Sequence, residues 1–220
     1  MLLSMNVIEL FSSIDGEGKR QGFLTTFLRL HDCNIRCSYC DTLYSYGPES
    51  TFESMSVQAV ADAIEQLENH RITITGGEPL LQEPAIIELI DELTRRNHRY
   101  DFNIETNGTI IPSFHRDNVW FTYDYKTPSS LAEDTMNLDI FKVATPADII
   151  KFVVGSMQDL DRMDEILKTY PTDAQIFVSP VWGNIEGATI IEYMKAHNWQ
   201  NVRFQLQIHK FIWDPDAKGV

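Results

Sequence analysis

The chain predicts an α/β fold, an open or incomplete β/α barrel, and three observations lead there. Short β-rich runs alternate with helix-period runs through most of its 220 residues, the pattern of a largely parallel sheet covered by helices. The apolar positions between the strands recur at helical spacing on one face only. The polar, glycine-bearing segments fall after the carboxyl ends of strands, where such folds collect their ligand contacts. A doubly wound sheet satisfies the same alternation, but this many units in one chain of this length favour a single barrel-like domain over residues 1–220.

The strands, in order, are expected at 7–11, 24–30, 71–75, 101–105, 119–123, 149–154, 175–178 and 203–208. Each is a short run rich in β-branched and aromatic residues. The clearest helix covers 57–67, with Val57, Val60, Ala61, Ile64 and Leu67 on one face behind Ser56 as its cap. Ile86, Leu89, Ile90 and Leu93 make the next stripe, and Leu160, Met163, Ile166 and Leu167 a third. These stripes read as core packing. The acidic run from Asp159 to Glu165 reads as the solvated face of that third helix.

Composition narrows the function. Hydrophobic residues make up 43% of the chain, enough for a buried core, and no apolar run reaches membrane-spanning length. The opening MLLSMNVIEL lacks a basic leader and a small-residue cleavage site, so a cytoplasmic protein is expected. A formal charge of −14 argues against a phosphate-tracking surface for nucleic acid.

All three cysteines stand in CNIRCSYC as Cys33, Cys37 and Cys40. An odd, clustered set in a reducing compartment disfavours disulfides and points to metal binding or redox chemistry. Soft thiolates select zinc or iron–sulfur. Structural zinc needs a fourth ligand, for which His31 is the nearest candidate, and a non-catalytic zinc module is one reading. A [4Fe–4S] cluster on three cysteines leaves one iron open for a reacting ligand, which is the other.

At these residues the chain resembles the radical S-adenosylmethionine superfamily, whose C-x3-C-x2-C loop carries an aromatic residue before its last cysteine, as Tyr39 does here. The resemblance implies that superfamily's partial β/α barrel, and a [4Fe–4S] cluster held by Cys33, Cys37 and Cys40. It also implies S-adenosylmethionine chelated to the open iron and cleaved by one electron from a donor such as flavodoxin or ferredoxin. TGGEP at 75–79 looks like the segment that meets the methionine amino group. IDGEGKRQG, FLRLHDCNIRCSYCDT, TGGEPLLQ, ETNGT, YDYKTPSS and RFQLQIHKFIWDPDAKGV together are similar to the 7-carboxy-7-deazaguanine synthases. That family contracts 6-carboxytetrahydropterin with loss of ammonia.

From this resemblance, cofactor contacts are expected at Gly77, Asp124, Tyr125, Lys126, Ser179 and Pro180, and pterin contacts at Ile14, Asp15, Gly16, Arg29 and Thr75. A guanidinium suits the pterin carboxylate, and Arg29 lies on the strand feeding the cysteines. Thr42 matches a position that coordinates Mg2+ in the family; local sequence by itself favours Asp41 and Thr42 as caps of the turn, and the resemblance reverses that preference. A homodimer is implied as well. Two departures stand out: Asp15 replaces the family's usual glutamine before GEG, and DYK replaces SPK at 124–126. Glu105 and Asn107 either reach ribose or substrate or cap a turn. His209 is expected to be structural. Within the superfamily, a compact activase of a glycyl radical enzyme is the alternative.

Overall fold

The computed structural model describes residues 3–215 and 217–219. Its strands are β1 (Ser4–Ile14), β2 (Leu24–Leu30), β3 (Glu53–Ser56), β4 (Arg71–Gly76), β5 (Asp101–Thr106), β6 (Val119–Tyr125), β7 (Ile149–Val154), β8 (Gln175–Pro180) and β9 (Val202–Phe204). Its helices are α1 (Val57–Gln66), α2 (Glu83–Arg96), α3 (Ile140–Val143), α4 (Met157–Thr169), α5 (Gly187–Ala196) and α6 (His209–Ile212). The strands form one sheet in the order β3-β1-β2-β4-β5-β6-β7-β8-β9. The pairs β1–β2 and β1–β3 are antiparallel, and every pair from β2–β4 to β8–β9 is parallel. Edge strands β3 and β9 do not pair with each other, so the sheet stays open as a partial β/α barrel.

Local chemistry explains the helix starts. The Ser56 hydroxyl accepts the Ala59 amide at 3.2 Å to open α1, and Ser156 accepts the Asp159 amide at 3.3 Å to open α4. Pro84 stands in the first turn of α2, where its missing N–H is not needed.

Side-chain parity along the strands divides the molecule. Ile72 and Ile74 of β4, Phe102 and Ile104 of β5, Phe121, Tyr123 and Tyr125 of β6, and Ile150 and Phe152 of β7 join the core beneath the helices. The alternate positions Thr73, Asn103, Thr122 and Lys151 stand outside that core yet are almost fully buried. The barrel interior is therefore polar, and β7 is buried at all six positions with a lysine in its middle.

Three expectations are corrected. The first strand runs on both sides of 7–11, because pairing from Ile14–Leu24 to Ser4–Ser56 carries the polar residues Ser12 and Ser13 into the sheet. The last strand stops at Phe204. Gln205 instead turns to the loop after β1, where its Oε1 accepts the Gly18 amide at 2.7 Å and its Nε2 donates to the Gly18 carbonyl at 3.0 Å; the Ile208 amide donates to the Gly16 carbonyl at 3.0 Å. These bonds bridge the open side of the sheet. The acidic run is not simply solvated, since Asp159 is buried and accepts the amides of Ser129 at 2.9 Å and Gly155 at 2.6 Å. Four elements, β3, α3, α5 and α6, have no counterpart among the expected ones; β3 is a four-residue polar segment that only its partner strand makes extended.

Candidate active site

A cavity of about 570 Å3 opens at the carboxyl ends of the parallel strands. Cys33, Cys37, Cys40 and Thr42 line it from the loop after β2, Thr75 and Gly77 from the end of β4, and Glu105 and Asn107 from the end of β5. Asp124 and Lys126 reach it from β6, Ile14, Asp15 and Gly16 from the end of β1, and Arg29 from β2. Twelve of the fifteen sequence-predicted site residues thus share one wall. Tyr125, Ser179 and Pro180 do not line it. Parity explains Tyr125: it points to the helix side, packs on Phe152 with centroids 4.9 Å apart, and donates to Glu133 at 2.9 Å. Ser179 shares a face with Val153, which does line the cavity, and its hydroxyl is buried with no partner among the described residues.

The cysteine loop is clamped from three sides. Ser38 donates its amide to the Ser130 carbonyl at 2.9 Å and its hydroxyl to the Ser129 carbonyl at 2.5 Å, and Tyr39 donates to the Val153 carbonyl at 3.3 Å. The Asn107 amide donates to Asn34 at 2.8 Å and lies 3.8 Å from Cys33 Sγ. Asn107 is thus engaged with the cysteine loop itself. Gly77 meets the loop at closest range: a Cβ there would stand 2.0 Å from the Asp32 carbonyl oxygen and 2.8 Å from Cys33 Cβ. Both glycines of TGGEP serve this contact, since a Cβ on Gly76, whose φ is +151°, would lie 2.3 Å from the Leu30 carbonyl oxygen.

These cysteines suit a cluster. None is in a disulfide, all three are half-buried, and burial raises the Cys33 thiol and pushes Cys37 up to about 11, so a positive metal centre would favour the thiolate form of these two. Among the described residues no three of His, Cys, Asp and Glu converge on a single-ion site. A cubane does not require this, because each cysteine binds a different iron. His31, the candidate fourth zinc ligand, packs against Phe52 with ring centroids 4.3 Å apart and planes tilted by 39°, and is absent from the cavity wall.

Glu78 carries no role that sequence reasoning assigns, yet it joins two motifs. Fully buried, its carboxylate accepts the Leu80 amide at 2.9 Å, the Thr106 hydroxyl at 2.9 Å and the Asn107 amide at 2.7 Å. Burial raises its pKa, and those three donors oppose the rise. Glu78→Ala should leave buried donors unpaired and cost about 3 kcal/mol of folding stability, read as a lower denaturant midpoint at unchanged slope. An unshifted midpoint would remove this role.

Both lysines inside the barrel are paired with carboxylates. Lys151 lies 2.6 Å from Glu17 and 3.6 Å from Asp124, which also pairs with Lys126 at 3.1 Å. Burial pushes Lys151 down, but Glu17, Asp124 and Glu105 outweigh it and hold the ammonium charged. A lone lysine inside IIKFVV, in phase with Asp124, is the sequence signal for this residue. Asp15 is almost fully buried and accepts the Thr73 hydroxyl at 3.3 Å; burial and then Glu105 push its pKa up to about 7, against the pull of Arg20. His209 also lines the cavity, its ring so close to Gly16 that a Cβ there would be 1.9 Å from Nδ1.

Residues 29–168 match the model of the Radical SAM superfamily. The 7-carboxy-7-deazaguanine synthase of Clostridium acetobutylicum is 37% identical over 99% of this chain and 100% of that protein. That of Methanospirillum hungatei is 38% identical over 96% of this chain and 86% of its own length. The chain belongs to the 7-carboxy-7-deazaguanine synthase family of radical SAM enzymes.

The family's fold is found in the crystal structure of QueE from Escherichia coli, with a TM-score of 0.69 and 24% identity over 92% of this chain and 93% of that one. Membership in the 7-carboxy-7-deazaguanine synthases brings a [4Fe–4S] cluster, S-adenosylmethionine, a small-molecule substrate and a reductant. Cys33, Cys37 and Cys40 are the cysteines available to such a cluster. Among the described residues no helix is long and apolar enough to cross a membrane.

Proposed function

We propose that this chain, as a single domain over residues 1–220, converts 6-carboxytetrahydropterin to 7-carboxy-7-deazaguanine and ammonia. One observation carries the reading: the three cysteines, the TGGEP glycine and a partly buried arginine share one cavity with a polar floor. When bound, the cluster and S-adenosylmethionine supply one-electron hydrogen abstraction. The chain's own residues bind, orient and exclude water around that chemistry.

Arg29 presents a guanidinium suited to the pterin carboxylate. Asp15 stands where the family usually has glutamine. With a pKa near neutrality it offers both an O–H donor and a carbonyl acceptor, the same pair that an amide presents to a pterin edge. Gly77 keeps the backbone beside the cysteines free of a side chain. Lys126 and Lys151 bring positive charge to the cofactor side, each already offset by Asp124.

Thr42 is the proposed Mg2+ contact. It begins the turn 43–45 without spending its side chain on a cap bond, and its hydroxyl donates to Asp41 at 3.0 Å, leaving oxygen lone pairs toward the cavity. A cation there would act as Lewis acid and template. A cytoplasmic homodimer reduced by flavodoxin or ferredoxin completes the reading, carried by family resemblance.

Anaerobically reconstituted protein given S-adenosylmethionine, 6-carboxytetrahydropterin, reductant and Mg2+ should form 5′-deoxyadenosine together with the deazaguanine acid, and turnover should rise with Mg2+. Cofactor cleavage without pterin turnover would overturn the substrate assignment, and indifference to Mg2+ would overturn the role of Thr42.

A further inference from the structure

A bulge between Val7 and Glu9 shifts the register of β1 by one residue and sets Glu9 directly opposite Arg29 on β2. Glu9 Oε1 accepts Arg29 Nε at 2.6 Å and the Tyr44 hydroxyl at 2.7 Å. Both charged side chains are partly buried, 16% exposed for Arg29 and 21% for Glu9. The Nη edge of the guanidinium has no protein acceptor among the described residues, and Arg29 lines the cavity. Residues 217–219 line the same cavity and also reach the triad. The Lys218 ammonium sits 4.2 Å from the Tyr44 ring centroid, and a Cβ on Gly219 would lie 3.9 Å from Glu9 Oε2.

We infer that Glu9 and Tyr44 are positioning residues that fix the plane of Arg29 so its free Nη edge meets the substrate carboxylate end-on. This rests on the proposed pairing of Arg29 with that carboxylate. A guanidinium is a planar fork, so tying Nε to a fixed acceptor removes its remaining rotation and preorganises the two outer donors for bidentate contact. Tyr44 stands two residues past Thr42, so the bond from its hydroxyl to Glu9 couples the plane of Arg29 to the cysteine loop.

Charge and geometry act in opposite directions here, which makes the inference testable by sign. As a mere counter-charge, Glu9 weakens the pull of Arg29 on a carboxylate, and neutralising it would tighten binding. As a positioning group, its neutralisation loosens binding.

The experiment uses reconstituted full chain and compares 6-carboxytetrahydropterin with its uncharged carboxamide by equilibrium binding, alongside KM and kcat for the acid. Glu9→Gln should raise the acid's Kd and KM about tenfold with kcat nearly unchanged and the carboxamide little affected, the scale of one charge-assisted hydrogen bond. Tyr44→Phe removes a single hydroxyl and should shift the acid in the same direction by about threefold; it carries the test alone if Glu9→Gln does not fold. An unchanged or tighter acid in the variant tested overturns the inference. Arg29→Lys separates the two levels. If it keeps wild-type discrimination between acid and carboxamide, the pairing of Arg29 with substrate fails; if it loses discrimination while Glu9→Gln and Tyr44→Phe retain it, only the positioning role fails.

Discussion

Cys37→Ala should lower the iron content of reconstituted protein and abolish cofactor cleavage, a loss of at least about a thousandfold, or about 4 kcal/mol in the barrier. The size follows from the ligand set. Three cysteines stand in the chain, and among the described residues no cluster of His, Cys, Asp and Glu offers a substitute site. Cys37 is only half-buried and belongs to a loop clamped through its neighbours Ser38 and Tyr39, so the fold itself should survive. Unchanged circular dichroism with lost iron and lost cleavage is the expected pair of results. A variant that still cleaves S-adenosylmethionine would mean that a different side chain completes the metal centre.

Gly77→Ala should be nearly as damaging, by a different route. The added Cβ would lie 2.0 Å from the Asp32 carbonyl oxygen and 2.5 Å from its carbonyl carbon, backbone atoms with no flexible end to swing aside. The same junction carries the hydrogen bonds from the Gly77 amide to Leu30 at 3.2 Å and from the Glu78 amide to Asp32 at 2.8 Å, so relief by backbone movement breaks them. Overpacking with backbone displacement costs about 3 kcal/mol, and here it also moves Cys33 away from its partners. The denaturation midpoint and the iron content should fall together. Gly155→Ala is the control: its nearest contacts, Asn184 and Ser129, are side-chain atoms at 3.4 Å, and the change should be nearly neutral. Equal stability of the two variants would show that the glycine contact is not what holds the cysteine loop against β4.

Much of the site is legible in the sequence. The C-x3-C-x2-C spacing, the two glycines of TGGEP and the strand-end placement of ETNGT and DYK are local features, and twelve predicted residues do share a cavity wall. Asp124 and Lys126 reach that wall while Tyr125 between them does not, because strand neighbours alternate faces and the three-residue motif spans both. His209 reads as structural from its neighbours in the chain, but the Gly16 contact places its ring in the wall, a proximity between residues nearly two hundred positions apart. Glu9 leaves no sequence signal at all: its meeting with Arg29 depends on a bulge, which shifts register without any mark in the apolar pattern.

Sequence alone therefore determined what is set by covalent neighbours: the grouping of three thiols in one loop, the α/β alternation, and the helix stripes and caps. Only the tertiary structure decided which face of each strand looks inward, which carboxylate holds Arg29, and where Gln205 leaves the sheet to bridge its open side. Those outcomes depend on strand register and on burial by distant segments. A charged or polar residue placed inside must take whatever partner the packed fold brings within hydrogen-bonding distance.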